Sequence, residues 1–334
     1  MKLLNFNLSK TIIYAPLAGI SDSPARRIAK DHGADITVSE LISAEGLVAG
    51  GKRTFDLTKF TDFERPFGLQ LFGAKPDKMA EGAKILAEMK PDFIDINFGC
   101  PAKKVVGKNG GSSILRDLKL FENIILGIVN AVNIPVTIKM RSGWDDDTLT
   151  YIEAGKIAED CGVRAITLHP RTRAQRFGGQ SDWTHIAELK EALNIPVIGN
   201  GDIRNPIDAK NMFDQTSCDA VMIGRGSFGN PWIFENVKEY LKSGNLLPDP
   251  TPREKIELAI KHFEMNIEHY DHPYGMYRMR RNFCWYIKSL QHASNARSEL
   301  MKLTEADEIK EFFNKYLETI EARNKLNNSQ SVSI

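Results

Sequence analysis

The chain has 334 residues, of which 42% are hydrophobic, and its formal net charge at pH 7 is +1. This length is enough to bury a full hydrophobic core, either as one large barrel with a small appendage or as two ordinary domains. The small net charge excludes a protein that attracts a polyanion through its overall field, so an anionic partner would require local clusters of basic residues.

The four cysteines, Cys100, Cys161, Cys218 and Cys284, lie far apart in the sequence. They form no CxxC pair and adjoin no histidine cluster, which disfavours a disulfide framework and a zinc site, so we expect no bound metal. No stretch approaches the roughly 18 to 20 apolar residues of a membrane span. We therefore expect a soluble, cytoplasmic protein without membrane contact.

Eight short apolar, β-branched runs predict strands. They occupy residues 12–15, 36–38, 67–71, 93–96, 136–138, 165–168, 197–198 and 220–223. Segments with helical periodicity, such as residues 79–87 and 120–129, lie between them. Parallel strands joined by helical crossovers, repeated eight times, predict a TIM (β/α)8 barrel over residues 1–245, with a doubly wound open sheet as the alternative.

Polar residues and glycines follow these runs, as expected for a barrel with its active site at the carboxyl ends of the strands. Residues 97–104 follow the fourth run and contain Asn97, Cys100, Lys103 and Lys104. A cysteine in this Gly- and Pro-containing loop is placed to meet a substrate, whereas a structural cysteine would suit the middle of a strand better.

The third and fifth strands end on candidate ligand contacts, Gln70 and Lys139. A lysine at the barrel mouth needs an anionic partner, and the electron-rich end of a reduced flavin ring is one candidate. The alternative is a lysine that extends to solvent. The Gln70 amide is able to meet the same ring, although a glutamine alone indicates little.

His169 ends the sixth strand and begins a loop that contains Arg171, Arg173 and Arg176. The arginines favour contact with phosphate or nucleic acid over metal ligation, because no second metal ligand lies nearby in the sequence.

Glycine-rich turns follow the last two strands, at residues 199–202 and 224–226. Glycines let backbone N–H groups approach phosphate oxygens, and Arg225 adds a charged donor. Either turn alone is equally consistent with a tight βα connection, but the pair on adjacent strands favours a phosphate site.

After Pro231 the alternation ends, and the proline-rich stretch 246–252 predicts a linker. Residues 252–270 and 303–326 have helical periodicity, so we predict a small C-terminal all-α domain over residues 252–327. One helix face, opposite an apolar face, would carry Arg278, Arg281, Trp285 and Lys288. This face predicts contact with a phosphate backbone through cations and a stacking ring, and a solvated charged face is the alternative.

Seven motifs, taken in order, resemble those of the tRNA-dihydrouridine synthases, flavoenzymes that reduce a uracil base in tRNA. They lie at residues 15–22, 70–73, 97–101, 138–141, 168–172, 199–202 and 224–226. The resemblance covers nearly the whole length of the chain. Several motifs in the same order are specific, although any one of them alone would not be.

The resemblance implies that FMN binds at the barrel mouth. Around its ring and ribityl chain it places Pro16, Leu17, Ala18, Gln70, Lys139 and His169, and around its phosphate Asn200, Gly201, Asp202, Gly224 and Arg225. It also implies that NADPH reduces FMN, that flavin N5 gives a hydride to uracil C6, and that a thiol protonates C5. Cys100 matches that thiol, whose unperturbed pKa near 8.5 keeps it mostly protonated at neutral pH.

The partner that the resemblance implies is tRNA, and no obligate protein partner is expected. The target uracil must be flipped into the mouth, so the protein needs basic contacts to the RNA backbone. The residues predicted to meet tRNA are Asn97, Lys103, Lys104, Arg141, Arg171, Arg173, Arg176, Arg278, Arg281, Trp285 and Lys288.

Two other functions remain open from the sequence. A flavin barrel that acts on a free pyrimidine, such as a dihydroorotate dehydrogenase, would not need the basic face from Arg278 to Lys288. A non-catalytic RNA-binding protein with the same fold would bind tRNA without flavin and would not depend on Cys100.

Overall fold

The computed structural model describes residues 2–3, 6–270 and 273–331. The chain folds into two compact units. The first comprises the residues up to Gly226 together with Ile233–Leu246, and the second comprises Ser227–Trp232 together with the residues from Leu247 onward.

Eight parallel strands form a closed barrel in the first unit. A separate antiparallel pair, β1 (Lys2–Leu3) and β2 (Phe6–Asn7), precedes them and was not predicted. The barrel strands are β3 (Thr11–Tyr14), β4 (Ile36–Ser43), β5 (Phe67–Phe72), β6 (Phe93–Phe98), β7 (Val136–Arg141), β8 (Ile166–His169), β9 (Val197–Asn200) and β10 (Ala220–Ile223). The predicted TIM barrel is confirmed, and the alternative of an open sheet is wrong because β10 pairs with β3.

Helices follow the barrel strands as crossovers. They are α1 (Ser23–Asp31), α2 (Ala44–Val48), α3 (Lys52–Asp56), α4 (Pro76–Glu88), α5 (Lys103–Val106), α6 (Leu118–Val129), α7 (Tyr151–Asp160), α8 (Thr184–Ala192), α9 (Pro206–Thr216) and α10 (Ile233–Ser243). Local chemistry fixes several of their starts. Asp22 accepts a hydrogen bond from the Ala25 backbone N at 3.1 Å and caps α1, and Asn205 and Asp208 form a capping box at the start of α9.

Successive side chains along each barrel strand point alternately to the core outside the barrel and to the barrel interior. On β6, Ile94, Ile96 and Phe98 belong to the main core between the strands and the helices, where all three are fully buried. The intervening residues Asp95 and Asn97 have the opposite orientation and face the barrel interior. The interior is therefore polar toward the carboxyl ends of the strands, which is where a ligand site is expected.

Six strands extend beyond their predicted ends, among them β4, β6 and β7. β4 continues to Ser43 across an irregularity between Val38 and Leu41, so Ser39 and Glu40 lie in a strand instead of a loop. Asn97 likewise lies within β6, and Lys139 lies inside β7 instead of closing it. The predictions stopped short because polar residues on the interior face interrupt the apolar pattern without ending the strand.

The second unit consists of helices α11 (Pro252–Tyr270), α12 (Tyr274–Tyr286), α13 (Ala293–Leu300) and α14 (Ala306–Ser331). The predicted all-α C-terminal domain is confirmed, and α11 has the same bounds as the periodic segment that predicted it. Phe283 packs its ring between Phe263 at 5.4 Å and Phe313 at 5.2 Å, measured between ring centroids. None of the helices in the described part of the chain is long and apolar enough to cross a membrane.

The segment Ser227–Trp232 belongs to this helical unit, although the predicted bounds placed it in the barrel domain. Phe228 stacks on Trp285, with 4.1 Å between ring centroids, and the Gly229 backbone packs closely against that of Trp285. These contacts join residues far apart in the sequence, and no local pattern reveals them.

Candidate active site at the barrel mouth

A chain of buried hydrogen bonds leads from the barrel interior to the Cys100 loop. Asp95 on β6 accepts hydrogen bonds from Gln70 Nε2 and Thr137 Oγ1, each at 2.6 Å. Gln70 Oε1 accepts from Asn97 Nδ2 at 3.0 Å, and Asn97 Oδ1 accepts from the Cys100 backbone N at 2.9 Å. Asp95 therefore orients Gln70, which orients Asn97, which in turn fixes the first turn of the loop.

Asp95 is a site residue that the sequence analysis missed. Burial raises the pKa of its carboxyl group, while the hydrogen bonds from Gln70 and Thr137 and the positive charge of Lys139 lower that pKa. A signal was present in the sequence, since an acid inside a run predicted to be buried must find partners. Those partners, on β5 and β7, were not evident from β6 alone.

For the uracil reduction that the resemblance implies, the variant Asp95→Ala is expected to be about fivefold slower, because one lost hydrogen bond of about 1 kcal/mol frees the Gln70 amide to turn. The single-turnover rate at saturating tRNA measures this loss. Thr137→Val is the matched control, since it removes the other hydrogen bond to Asp95 and leaves Gln70 in place. Equal rates for the two variants would show that Asp95 does not act through Gln70.

The Cys100 loop is fixed on two sides. The Cys100 carbonyl oxygen accepts a hydrogen bond from Ser112 Oγ at 2.9 Å, and Arg141 Nε donates to the Gly99 carbonyl oxygen at 2.8 Å. The thiol is half-buried, and burial raises its pKa against the opposing effects of an Ala102 backbone hydrogen bond and the charges of Arg141 and Lys139. The thiol therefore keeps its proton at neutral pH.

Arg141 joins two loops instead of extending toward solvent. It is 2% exposed, and besides Gly99 its guanidinium donates to the carbonyls of Thr172 at 2.9 Å and Arg176 at 2.7 Å. The prediction that Arg141 contacts tRNA directly does not match this position. The guanidinium instead holds the Cys100 loop against the loop that follows β8.

Lys139 provides a positive charge at the mouth. Its Nζ donates to Asn200 Oδ1 at 2.8 Å, and Asn200 Nδ2 donates in turn to the Met222 carbonyl at 2.8 Å. Desolvation by burial, followed by the nearby charge of Arg141, lowers the pKa of Lys139 to about 8. An ammonium group that donates to a neutral amide in this position favours an anionic ligand.

Arg171 is 1% exposed, which corrects the prediction that it meets an RNA phosphate. Its Nη2 donates to Asp202 Oδ2 at 2.6 Å, and its Nη1 donates to Ser181 Oγ at 2.6 Å and to His169 Nε2 at 3.1 Å. A guanidinium accepts no hydrogen bond, so His169 Nε2 is the acceptor and its ring is neutral. Burial, reinforced by the charge of Lys139, also lowers the pKa of His169 well below its usual range.

Asp202 neutralises Arg171 and positions Arg225. Partial burial opposes its ionisation, but hydrogen bonds from Arg171 and the Ser181 backbone lower the pKa of the carboxyl group. Arg225 Nη2 lies 3.2 Å from Asp202 Oδ1, and its side chain remains 45% exposed. The Asp202 carboxylate is therefore not a direct phosphate ligand, since two anions repel, and Arg225 is the accessible cation of this group.

Gly201 occupies a backbone position that only glycine fits. Its φ is +129°, and a Cβ there would lie 2.4 Å from Ser181 Oγ. Gly224 follows β10 and packs beside Ala15 and Leu17. Half-buried Pro16 and Leu17 and exposed Ala18 follow β3 in the same layer of the mouth.

These residues together suit a ligand with an anionic group. Arg171 and Arg225 carry two positive charges against one ionised Asp202, and His169 is neutral, so this side of the mouth has a net positive charge. Gln70 and Lys139 add polar groups on the other side. The remaining predicted contacts Lys103, Lys104 and Arg176 are exposed, and Arg173 is half-buried.

Phe177 is a second site residue that the sequence analysis missed. It is 55% exposed in the loop after β8, and its ring lies 5.4 Å from both the Arg141 and the Arg225 guanidinium carbons. An exposed aromatic ring between two cations is able to stack on a base or a ring ligand. The signal in the sequence was an aromatic residue between Arg176 and two glycines.

In the helical unit, the predicted basic face is only partly present. Arg281 and Lys288 are exposed, but Lys288 lies beyond the end of α12. Arg278 lies over the Tyr270 ring at 4.8 Å. Trp285 stacks on Phe228, so one side of its ring is covered, and its contact with tRNA stays a prediction for the other side.

Residues 13–322 match the family model described as dihydrouridine synthase (Dus). The protein named probable tRNA-dihydrouridine synthase of Rickettsia bellii is 37% identical over 318 residues, which cover 94% of this chain and 98% of that protein. The tRNA-dihydrouridine synthase B of Salmonella typhimurium is 37% identical over 319 residues, covering 95% and 99% respectively.

A solved structure of 2-naphthoyl-CoA reductase in complex with 2-naphthoyl-CoA superposes with a TM-score of 0.55. The superposition covers 72% of this chain and 51% of that one, at 14% sequence identity. At this identity the likeness concerns the fold alone.

Proposed function

The chain belongs to the dihydrouridine synthase family, and from this premise we propose that it reduces a uridine of tRNA to 5,6-dihydrouridine with the help of a bound flavin. The observation that carries the proposal is the half-buried Cys100 thiol, which keeps its proton beside the cations Lys139 and Arg141. A group that holds a proton until negative charge develops nearby is a general acid.

FMN is the flavin that the residues of the mouth fit. Gln70, Lys139 and His169 would hold the ring, with Pro16, Leu17 and Ala18 alongside. Arg225 and the turns around Asn200, Gly201 and Gly224 would hold the phosphate, and the net positive charge of this side supports an anionic group there. Bound FMN, once reduced by NADPH, supplies the hydride that goes to uracil C6.

Cys100 supplies the proton that completes the reduction at uracil C5. Transfer of this proton leaves a thiolate, which the charges of Arg141 and Lys139 stabilise. Asn97 and Arg141 both hold the peptide unit that joins Gly99 to Cys100, so the backbone that carries the thiol is fixed in place. The thiolate then regains a proton from water, and the protein returns to its starting state.

The tRNA must present a uracil that has left its base stack. Exposed Lys103, Lys104 and Arg176 in the barrel unit are suited to contact the phosphate backbone around it. Exposed Arg281 and Lys288 in the helical unit are suited to contact phosphates of the same tRNA. These contacts recognise the charge of the phosphates and not the base sequence. The shape of the folded RNA would therefore determine which uridine is reduced.

The visible spectrum of the purified protein tests this function. Under anaerobic conditions, we expect the flavin bands to bleach on addition of NADPH and to return on addition of unmodified tRNA, but not with free uridine or orotate. Return of the bands with orotate would instead indicate an enzyme acting on a free pyrimidine. A protein that FMN cannot reconstitute, but that retains tRNA on a filter, would be a non-catalytic RNA-binding protein.

A further inference from the structure

Two arginines lie over one tryptophan ring after the carboxyl ends of the barrel strands. The Arg116 Cζ atom is 4.0 Å from the centroid of the Trp144 ring, and the Arg173 Cζ atom is 4.3 Å from it. The two cations are therefore no farther apart than the sum of these distances. Each guanidinium gains from its contact with the ring, but the two like charges repel each other. Phosphate oxygens bound at these guanidinium groups would offset that repulsion.

The protein itself provides no such anion within its described residues. Arg116 Nε makes one long hydrogen bond, 3.4 Å, to a backbone carbonyl three residues earlier, and Arg173 Nε is buried with no hydrogen-bond partner. Asp117 and Asp145 adjoin Arg116 and Trp144 in the sequence, but both carboxylates accept hydrogen bonds within their own turns. Asp146 accepts a hydrogen bond from Thr172 Oγ1 at 3.4 Å, and neither guanidinium group forms an ion pair with a carboxylate among the described residues.

The three side chains belong to segments that are tied to the Cys100 loop. Arg116 ends the short 3-10 helix Gly111–Arg116, in which Ser112 Oγ donates to the Cys100 carbonyl. The Arg173 backbone N donates to the Gly143 carbonyl at 3.0 Å, which joins the loops after β7 and β8. All three residues follow the carboxyl ends of barrel strands, which is the end of the barrel that an RNA strand must approach for its base to reach Cys100.

We propose that Arg116, Trp144 and Arg173 form a binding site for a phosphate of the RNA backbone near the target uridine, an inference that rests on the proposed function. The indole holds both planar guanidinium groups in place, so that little side-chain freedom is lost when they bind. Their terminal N–H groups donate to the phosphate oxygens. The site recognises charge and spacing instead of base sequence.

Equilibrium binding of unmodified tRNA to the flavin-loaded protein, measured at several salt concentrations, tests the site. Arg116→Ala and Arg173→Ala are each expected to weaken binding by roughly three- to tenfold and to reduce the slope of log affinity against log salt by about 0.7 to 0.9, the value for one lost phosphate contact. Trp144→Leu is expected to weaken binding similarly, whereas Trp144→Phe, which keeps a ring, retains more of the affinity.

Arg164→Ala is the matched control. Arg164 is an exposed arginine that precedes β8, at the opposite end of that strand from Arg173, so its removal is expected to leave the salt slope unchanged. Every variant is also expected to keep the wild-type rate of flavin reduction by NADPH, which shows that the barrel is intact.

The outcomes separate this site from the proposed activity. Wild-type affinity and salt slope in both arginine variants would overturn the phosphate site and leave uridine reduction untouched. Weaker binding with an unchanged slope would also overturn it, since that result indicates a contact with a base. A different result would refute the activity and keep the site. In it, the wild-type protein does not reduce tRNA uridine, but the arginine variants still show a smaller salt slope than the wild type.

Discussion

Replacing Cys100 with alanine is expected to lower the rate of uridine reduction by about 10²- to 10⁴-fold, the usual contribution of a positioned general acid. The rate at which NADPH bleaches the flavin is expected to stay unchanged, because the thiol acts only when C5 of the uracil receives its proton. Anaerobic stopped-flow measurements of the two half-reactions, each followed by flavin absorbance, separate these effects.

The pH dependence of the same step identifies the thiol. Burial raises the pKa of Cys100, so the protonated acid persists through neutral pH and is lost only above the usual thiol value of about 8.5. We expect the wild-type rate of uridine reduction to be level at neutral pH and to fall at alkaline pH, and we expect this fall to be absent in Cys100→Ala. Cys161→Ala, at the end of α7, is the matched control and keeps the wild-type profile. An equally active Cys100→Ala protein would exclude the thiol as the acid.

Replacing Lys139 with methionine is expected to weaken FMN binding by roughly ten- to a hundredfold, which corresponds to about 1.5–3 kcal/mol for a hydrogen bond from a charged group. Methionine has a similar length and fills the same space, so the change removes the charge with little loss of packing. Fluorescence titration of the flavin-free protein with FMN measures the affinity.

The affinity of the wild-type protein for FMN is expected to depend on pH through the same lysine. The pKa of Lys139 is lowered to about 8, and an anionic ligand raises it, so the free protein loses the ammonium proton at a lower pH than the complex does. Binding should therefore be constant below pH 8 and weaken by up to tenfold per pH unit above it. Lys139→Met should show no such change. Lys84→Met, an exposed position on α4, controls for a general loss of positive charge.

Local sequence patterns predicted the fold because they depend on neighbouring residues. All eight barrel strands and helix α11 followed from apolar periodicity, and the predicted strand ends pointed to Cys100 and Lys139 as candidate site residues. Helix α13 was missed because its short, polar sequence has only three buried residues, Ala293, Ala296 and Leu300. Such a pattern is too weak to distinguish a helix from a loop.

Partners distant in the sequence account for the places where the predictions and the structure differ. Arg171 resembled an RNA contact because its own loop has no acid, yet Asp202 after the next strand neutralises it. Trp285 resembled a stacking platform, and because Phe228 covers one side of its ring, its contact with RNA stays a prediction for the other side. Asp95 was missed for the same reason, since its hydrogen-bond donors come from two other strands.

Because Ser227–Trp232 belongs to the helical unit, the chain cannot be cut at one point into two separate units. Because Ile233–Leu246 returns to the barrel unit, the backbone passes between the units three times instead of once. A fragment truncated after Leu246 would keep α10 but leave the Phe228 ring without Trp285. The complementary fragment would expose the indole that Phe228 normally covers. We therefore expect both halves to be prone to aggregation, and swapping one appendage for another between relatives would have to exchange the 227–232 segment as well.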